Sequence, residues 1–331
     1  MKKRAFSIIL LLVGATAVSQ AVGNQRAASP SPDKLRAFFQ KRDVTIAVTD
    51  SGLGGLSIMA DAAARMKAAG VFRSARFVFY NALFSAQGGY NTLKTREEKA
   101  AKFDEILVKI NREYKPDLIL IACNTLSVCY DATAFSRKAG IPVIPIVPAG
   151  TDLIMTSLQE HPDAAVLIFG TPTTISEGAY LKNLVDSGIA AGRIFGQSCP
   201  ELELYIERDY AGEETGMLIS GFVEEALAGL PAPRPPFIAS LNCTHYGYSL
   251  PLWETAFSEA GAKPLAILNP NSKMADVLFP KEYPKRYAKT GISAEVVSSV
   301  EILKPAIDSL AVWLKKISPE VAKALSHYHR R

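Results

Sequence analysis

From Asp43 onward, the apolar positions of the chain fall into two alternating rhythms. Short runs rich in β-branched residues, Val44–Thr49, Arg76–Tyr80, Leu118–Ile121 and Val143–Val147, read as strands. Between them, Leu56–Lys67 and Glu97–Tyr114 carry apolar residues at helical spacing. A second series follows, with strands at Ala165–Phe169, Arg193–Phe195 and Phe237–Leu241 and helices beginning at Ile175, Leu202 and Met217; a last helix is expected over Val300–Lys316. Strands alternating with helices in this way predict an α/β fold with mainly parallel sheets and flanking helices.

The second series repeats the first. The strand ending at Asp50-Ser51-Gly52 has its counterpart in the one ending at Gly170-Thr171-Pro172, and the strand before Cys123-Asn124-Thr125 has its counterpart before Cys243-Thr244-His245. Both pairs are displaced by 120 residues. A common displacement points to duplication and to two similar domains. In open α/β sheets ligands bind beyond the carboxyl ends of the strands, where all four segments fall, so the active site is expected in the cleft between the domains.

Charge and hydropathy change the picture mainly at the N-terminus. Lys2, Lys3 and Arg4 precede the apolar run Phe6–Val18 and the small-residue segment Ser19-Gln20-Ala21, the layout of a secretory signal peptide and too short for a bilayer span. Removal of residues 1–21 takes away three positive charges and no acidic residue, so 331 residues at +5 become 310 at +2. No basic stripe with interleaved aromatics remains, and a nucleic-acid partner is not expected. Residues 22–42, rich at their start in Ser, Pro and Ala, read as a flexible lead-in. The protein is expected to be exported, to the periplasm, with no stable membrane partner once the signal is cleaved.

Four cysteines, Cys123, Cys129, Cys199 and Cys243, carry the candidate chemistry. Cys123 and Cys243 occupy equivalent strand ends, each followed by short polar residues in a setting that favours thiolates and bound carboxylates. Two thiols across one cleft could remove a proton from one face of a carbon and return one to the other, inverting a stereocentre. A disulfide is the main competing use, because export leads to an oxidising compartment. Cys129 reads as a small buried hydrophobe. The spacings hold no CxxC pair and the four histidines do not cluster, so no metal is expected. Asp50 could assist Cys123, or simply cap the helix beyond Gly52–Gly55; His245 could assist Cys243. Gly52-Leu53-Gly54-Gly55 lacks GxGxxG spacing, and no dinucleotide is inferred.

Taken together, Ile46–Ser57, Ala122–Thr125 with Ser127, and Cys243–Tyr246 resemble the glutamate racemase family, within the cofactor-independent aspartate/glutamate racemases. Ile141–Ile144, Gly170-Thr171 through Tyr180, and Cys199-Pro200 through Glu207 support the match, which spans most of residues 44–250 in order. The resemblance implies an amino-acid racemase acting on glutamate or a related acidic amino acid, with no cofactor and no metal. It implies Cys123 and Cys243 as acid/base thiols, Asp50 assisting the first, and Glu207 and His245 assisting the second. Ser51, Asn124, Thr125 and Thr244 would hold the substrate's α-carboxylate and amino group, with Tyr90 and Asn91 in the substrate-contacting loop. A homodimer also follows from the resemblance alone. The first domain would comprise 43–147 and 250–318, with the second, 148–249, inserted into it and 319–331 left as a tail.

The chain departs from the family's pattern in three places. Gly88-Gly89-Tyr90-Asn91 stands where Pro-Tyr-Gly is usual, Asn242 replaces a glycine before the second cysteine, and Gly247 stands at a usual proline. Two other readings stay open: an exported two-lobed amino-acid-binding protein on a racemase scaffold, and a racemase or isomerase of the same superfamily with another substrate such as aspartate.

Overall fold

The computed structural model describes residues 30–85 and 89–331. The signal segment 1–21 and Gly88 lie outside these residues. The first sheet contains β1 (Asp43–Asp50), β2 (Ser74–Asn81), β3 (Leu118–Ile121) and β4 (Val143–Pro145). The second contains β5 (Ala165–Gly170), β6 (Ile194–Ser198), β7 (Phe237–Asn242) and β8 (Ile267–Leu268); β9 (Gly291–Ser298) and β10 (His329–Arg330) return to the first. Every strand pairing is parallel. Strands β3, β5 and β7 are buried along their whole length, which is why their sequences are almost unbroken apolar runs.

The repeat seen in the sequence is a repeat of topology. The orders β2-β1-β3-β4 and β6-β5-β7-β8 are the same, with β9 and β10 added beyond β2. Ile46 pairs with Leu118, and 120 residues later Val166 pairs with Ile238. In each half the chain leaves the central strand for a neighbour on one side and returns on the other. This creates a switch point between β1 and β3, and another between β5 and β7. The four polar segments singled out from the sequence follow those four strands.

Glycines and caps delimit the flanking helices. Leu56–Ala69 ends at Gly70 in the left-handed region (φ 61°), and Arg96–Tyr114 starts with a reciprocal capping box between Thr95 and Glu98. The main core is continuous from one half to the other, joining Val48 and Leu120 of the first sheet to Phe169 and Leu241 of the second, with Trp253 and Leu310. Among the described residues no helix is long and apolar enough to cross a membrane.

Several expectations need correction. Within the lead-in, Pro32–Gln40 is a helix capped by Ser31, with Phe38 and Phe39 buried; the polar stretch before it concealed an amphipathic turn. The strand expected over Val143–Val147 stops at Pro145, and Ile146 opens the helix to Glu160. The last long helix starts at Lys304, because Pro305 sits in its first turn. Residues 319–331 form the helix Pro319–Ser326 and the edge strand β10. Beyond residue 250 the chain stays with the second sheet as far as β8, and only β9, which was not anticipated, rejoins the first.

Phe39 tests the docking of the first helix, since its ring stacks on Tyr283 at 4.4 Å and on Phe72 at 6.1 Å. Phe39→Ala is expected to cost about 3–5 kcal/mol, read as a lowered midpoint in denaturant unfolding. An unchanged midpoint would show that the helix adds nothing to the fold.

Candidate active site

The ends of β1, β3, β5 and β7 open into one cleft of about 410 Å³. All eleven candidate residues line it: Asp50, Ser51, Tyr90, Asn91, Cys123, Asn124, Thr125, Glu207, Cys243, Thr244 and His245. All four cysteines are free and buried, and no disulfide joins them in this structure.

On the first wall, Cys123 Sγ lies 3.1 Å from Ser51 Oγ. Asp50 Oδ2 accepts from Gly55 N–H at 2.6 Å and from the Thr244 hydroxyl at 2.7 Å, while its Oδ1 is buried without a partner. Asp50 is not the helix N-cap, which is Gly55 without a side-chain cap; its carboxylate binds the N–H of that glycine and also reaches the opposite wall. Burial raises the Cys123 thiol well above its ordinary range, and the Asp50 charge adds to the effect.

On the second wall, Cys243 Sγ lies 3.5 Å from His245 Nδ1, and His245 Nε2 lies 2.7 Å from Glu207 Oε1. Glu207 Oε1 also accepts from Leu53 N–H at 2.7 Å, which carries the relay across to the first half. Burial opposes the charged form of His245, but the contacts with Cys243 and Glu207 outweigh it and raise its pKa well above the usual value. Burial raises the Cys243 thiol too, and the neighbouring imidazole offsets only part of the rise. The thiol-bearing residues are almost equally shielded, at 5% and 6% exposure, so the difference lies in their neighbours: a carboxylate beside Cys123 and an imidazole beside Cys243.

Between the walls, Asn124 Oδ1 accepts from the Tyr180 hydroxyl at 2.6 Å, leaving its buried Nδ2 without a partner. A Cβ on Gly150 would fall 2.5 Å from the Tyr180 oxygen, so the glycine makes room for that contact. Thr125 Oγ1 meets Thr171 Oγ1 at 2.8 Å. Tyr90 is packed edge-on against Phe84 and Phe103 and lines the cleft. Asn242 is fully buried at the end of β7. Cys129, as expected, is a buried apolar contact, its thiol pushed up to about 12 by burial.

Sequence reasoning missed Glu203, which lines the cleft one helical turn before Glu207, and Tyr180, whose hydroxyl donates to Asn124. The spacing of Glu203 and Glu207 by four residues was the available signal. No spacing could reveal Tyr180, whose partner is 56 positions away.

No family model matches the chain. It is 26% identical over 204 residues to the glutamate racemase of Chlorobaculum tepidum, covering 62% of this chain and 68% of that one. A glutamate racemase isoform from Bacillus anthracis superposes with a TM-score of 0.62 at 18% identity, over 83% of this chain and 95% of that one. The glutamate racemase of Francisella tularensis, solved in complex with D-glutamate, gives 0.60 at 20%, over 82% and 94%. The protein is thus an α/β chain of two parallel sheets flanked by helices. Its fold is the one seen in the glutamate racemases, and its sequence is similar to theirs.

The unlike neighbours of the two thiols lead to a prediction. At neutral to mildly alkaline pH, iodoacetamide should label Cys243 before Cys123, as read by peptide mass mapping. Glu207→Gln should slow labelling of Cys243 by about tenfold, because the imidazolium loses its counter-charge. Equal labelling of both thiols in the wild type would refute the asymmetry.

Proposed function

We propose that the chain is a cofactor-independent amino-acid racemase in which Cys123 and Cys243 act from opposite faces of the substrate's Cα, with glutamate or a related acidic amino acid as substrate. The observation that carries this reading is the pair of cysteines at equivalent strand ends lining one cleft, each with its own polar assistant. Similarity to the glutamate racemases supports the choice of substrate.

The substrate's α-carboxylate is held by the hydroxyls of Ser51 and Thr125 and by the free Nδ2 of Asn124, while the Thr244 oxygen, whose proton goes to Asp50, accepts from the amino group. Its ammonium lies towards the free Oδ1 of Asp50. Cys243, ionised beside the His245 imidazolium, takes the Cα proton and becomes a thiol; the electron pair of the broken C–H bond stays on the carbon. The Cys123 thiol then delivers its own proton to the other face and becomes a thiolate. Starting from the opposite enantiomer, the same steps run in reverse. Preorganised donors around the carboxylate lower the energy of the carbanion, beside thiol-bearing residues that are almost wholly shielded from solvent.

In D2O under reducing conditions, the purified protein should exchange the Cα proton of glutamate, followed by NMR. Cys123→Ser and Cys243→Ser should each reduce full racemisation by about 10²–10⁴-fold. Normal turnover in either variant would remove that thiol from the mechanism, and an absence of exchange with any amino acid would sink the racemase reading in favour of a binding protein.

The same proposal extends to location. Lys2–Arg4 followed by the apolar run Phe6–Val18 supports export by a cleaved signal. Fractionation of cells expressing the full chain should recover a shortened protein outside the cytoplasm, starting near residue 22; a full-length cytoplasmic protein would overturn it.

A further inference from the structure

A racemase needs only the groups around Cα for its chemistry, so the rest of the cleft is left to read the side chain; the inference that follows rests on the racemase reading. Among the described residues no lysine or arginine lines the cleft, whereas Asp50, Glu201, Glu203 and Glu207 do. His245 is already engaged by Glu207 and Cys243. A second carboxylate entering with the substrate therefore meets no free cation and must find a neutral donor.

Glu203 has the geometry to be that donor. Its Oε1 lies 3.5 Å from Asn91 Nδ2, and Asn91 Oδ1 accepts from Thr173 N–H at 3.4 Å. The amide is thereby oriented with its NH2 towards Glu203, which makes Oε1 the accepting oxygen. The other oxygen, Oε2, is buried and has no partner. A proton on Oε2 would have no acceptor until a ligand supplied one.

We propose that Glu203 reads the substrate side chain as a carboxylic acid, its Oε2–H donating to the side-chain carboxylate of a glutamate-type substrate while Asn91 holds Oε1. Hydrogen bonds of this O–H···O⁻ kind are short and strong. No covalent bond changes; when Glu203 is ionised beforehand, binding takes up one proton from solvent. The groups facing Glu203 favour the protonated form. Burial raises it, and Glu207 and Glu201 on its own segment act in the same sense, against the charge of His245 from the turn after β7. Cys243 and Tyr246 from that turn, and Cys199 after β6, also sense its charge; burial holds Tyr246 and Cys199 neutral, and the Cys243 thiolate of the proposed mechanism favours a protonated Glu203 in the same sense.

The test compares glutamate with glutamine, which has the same length but no second charge. KM for Cα–H exchange is measured for both from about pH 6 to about pH 9. The thiols and His245 titrate identically for the two substrates and cancel in the ratio. KM(Glu)/KM(Gln) should rise by up to about tenfold per pH unit as Glu203 loses its proton. In Glu203→Gln, whose amide can donate at any pH, the ratio should be flat. Exchange with a flat ratio in the wild type, or a lower KM for glutamine or a basic amino acid at the acidic end, would overturn the role of Glu203 and leave the racemase standing. Absence of exchange with every amino acid would overturn both. The wild-type ratio is decisive even where the variant does not fold.

Discussion

The structure turns on how closely the Gly52–Gly55 loop of one half approaches the Cys243–His245 turn of the other. A Cβ on Gly54 would lie 2.3 Å from Thr244 Oγ1 and 2.7 Å from His245 N, and one on Gly52 would lie 2.8 Å from Glu207 Oε1. None of these separations is open to a side chain. The absence of side chains here is what allows Thr244 to reach Asp50, Leu53 N–H to reach Glu207, and the Tyr248 hydroxyl to reach the Leu53 carbonyl at 3.1 Å. Each of these bonds joins residues more than 150 positions apart, so together they set the width of the cleft rather than the shape of either half.

The common displacement of 120 residues was legible because a parallel sheet ties register to sequence. Once β1 and β5 are equivalent, their pairings with β3 and β7 fall at the same offset, and the residues just past the strand ends follow. That is why Asp50, Cys123, Cys243 and His245 could be named from the chain alone. The elements that escaped notice lack such a signal. Strand β9 is partly exposed along Gly291–Glu295 and carries polar residues among its apolar ones, and β10 is only two residues long. The helix Pro32–Gln40 is held by two phenylalanines against Phe72 and Tyr283, contacts that no local pattern reveals.

Within the site, what was legible was identity rather than state. Glu207 and His245 could be paired with Cys243 by resemblance, but the sequence does not say that Leu53 N–H and His245 share one oxygen of Glu207, nor that Asp50 serves both halves at once. These facts depend on the interdomain approach, and the interdomain approach depends on glycines whose role reads locally as a turn. Glu203 was passed over for a related reason. On a helix of seven residues beside Glu201 and Glu207, a further acid looks like solvated surface, and only the fold turns it inward.

Charge placement explains why such a cleft can hold two thiols without committing them to each other. Burial alone would keep both protonated, and a cation beside each would ionise both; either arrangement would remove one of the two partners that the proposed inversion requires. Here the carboxylate of Asp50 stands with Cys123 and the imidazole of His245 with Cys243, so one wall tends to hold a proton while the other can release it. The same shortage of fixed cations that keeps Cys123 a thiol also leaves a dicarboxylic substrate without an ion-pair partner. On the proposed reading, a protonated carboxyl at Glu203 would meet that need without adding a positive charge that would ionise the thiol across the cleft. The proposed selectivity for the side chain and the proposed unequal state of the two thiols would therefore be two consequences of one electrostatic constraint.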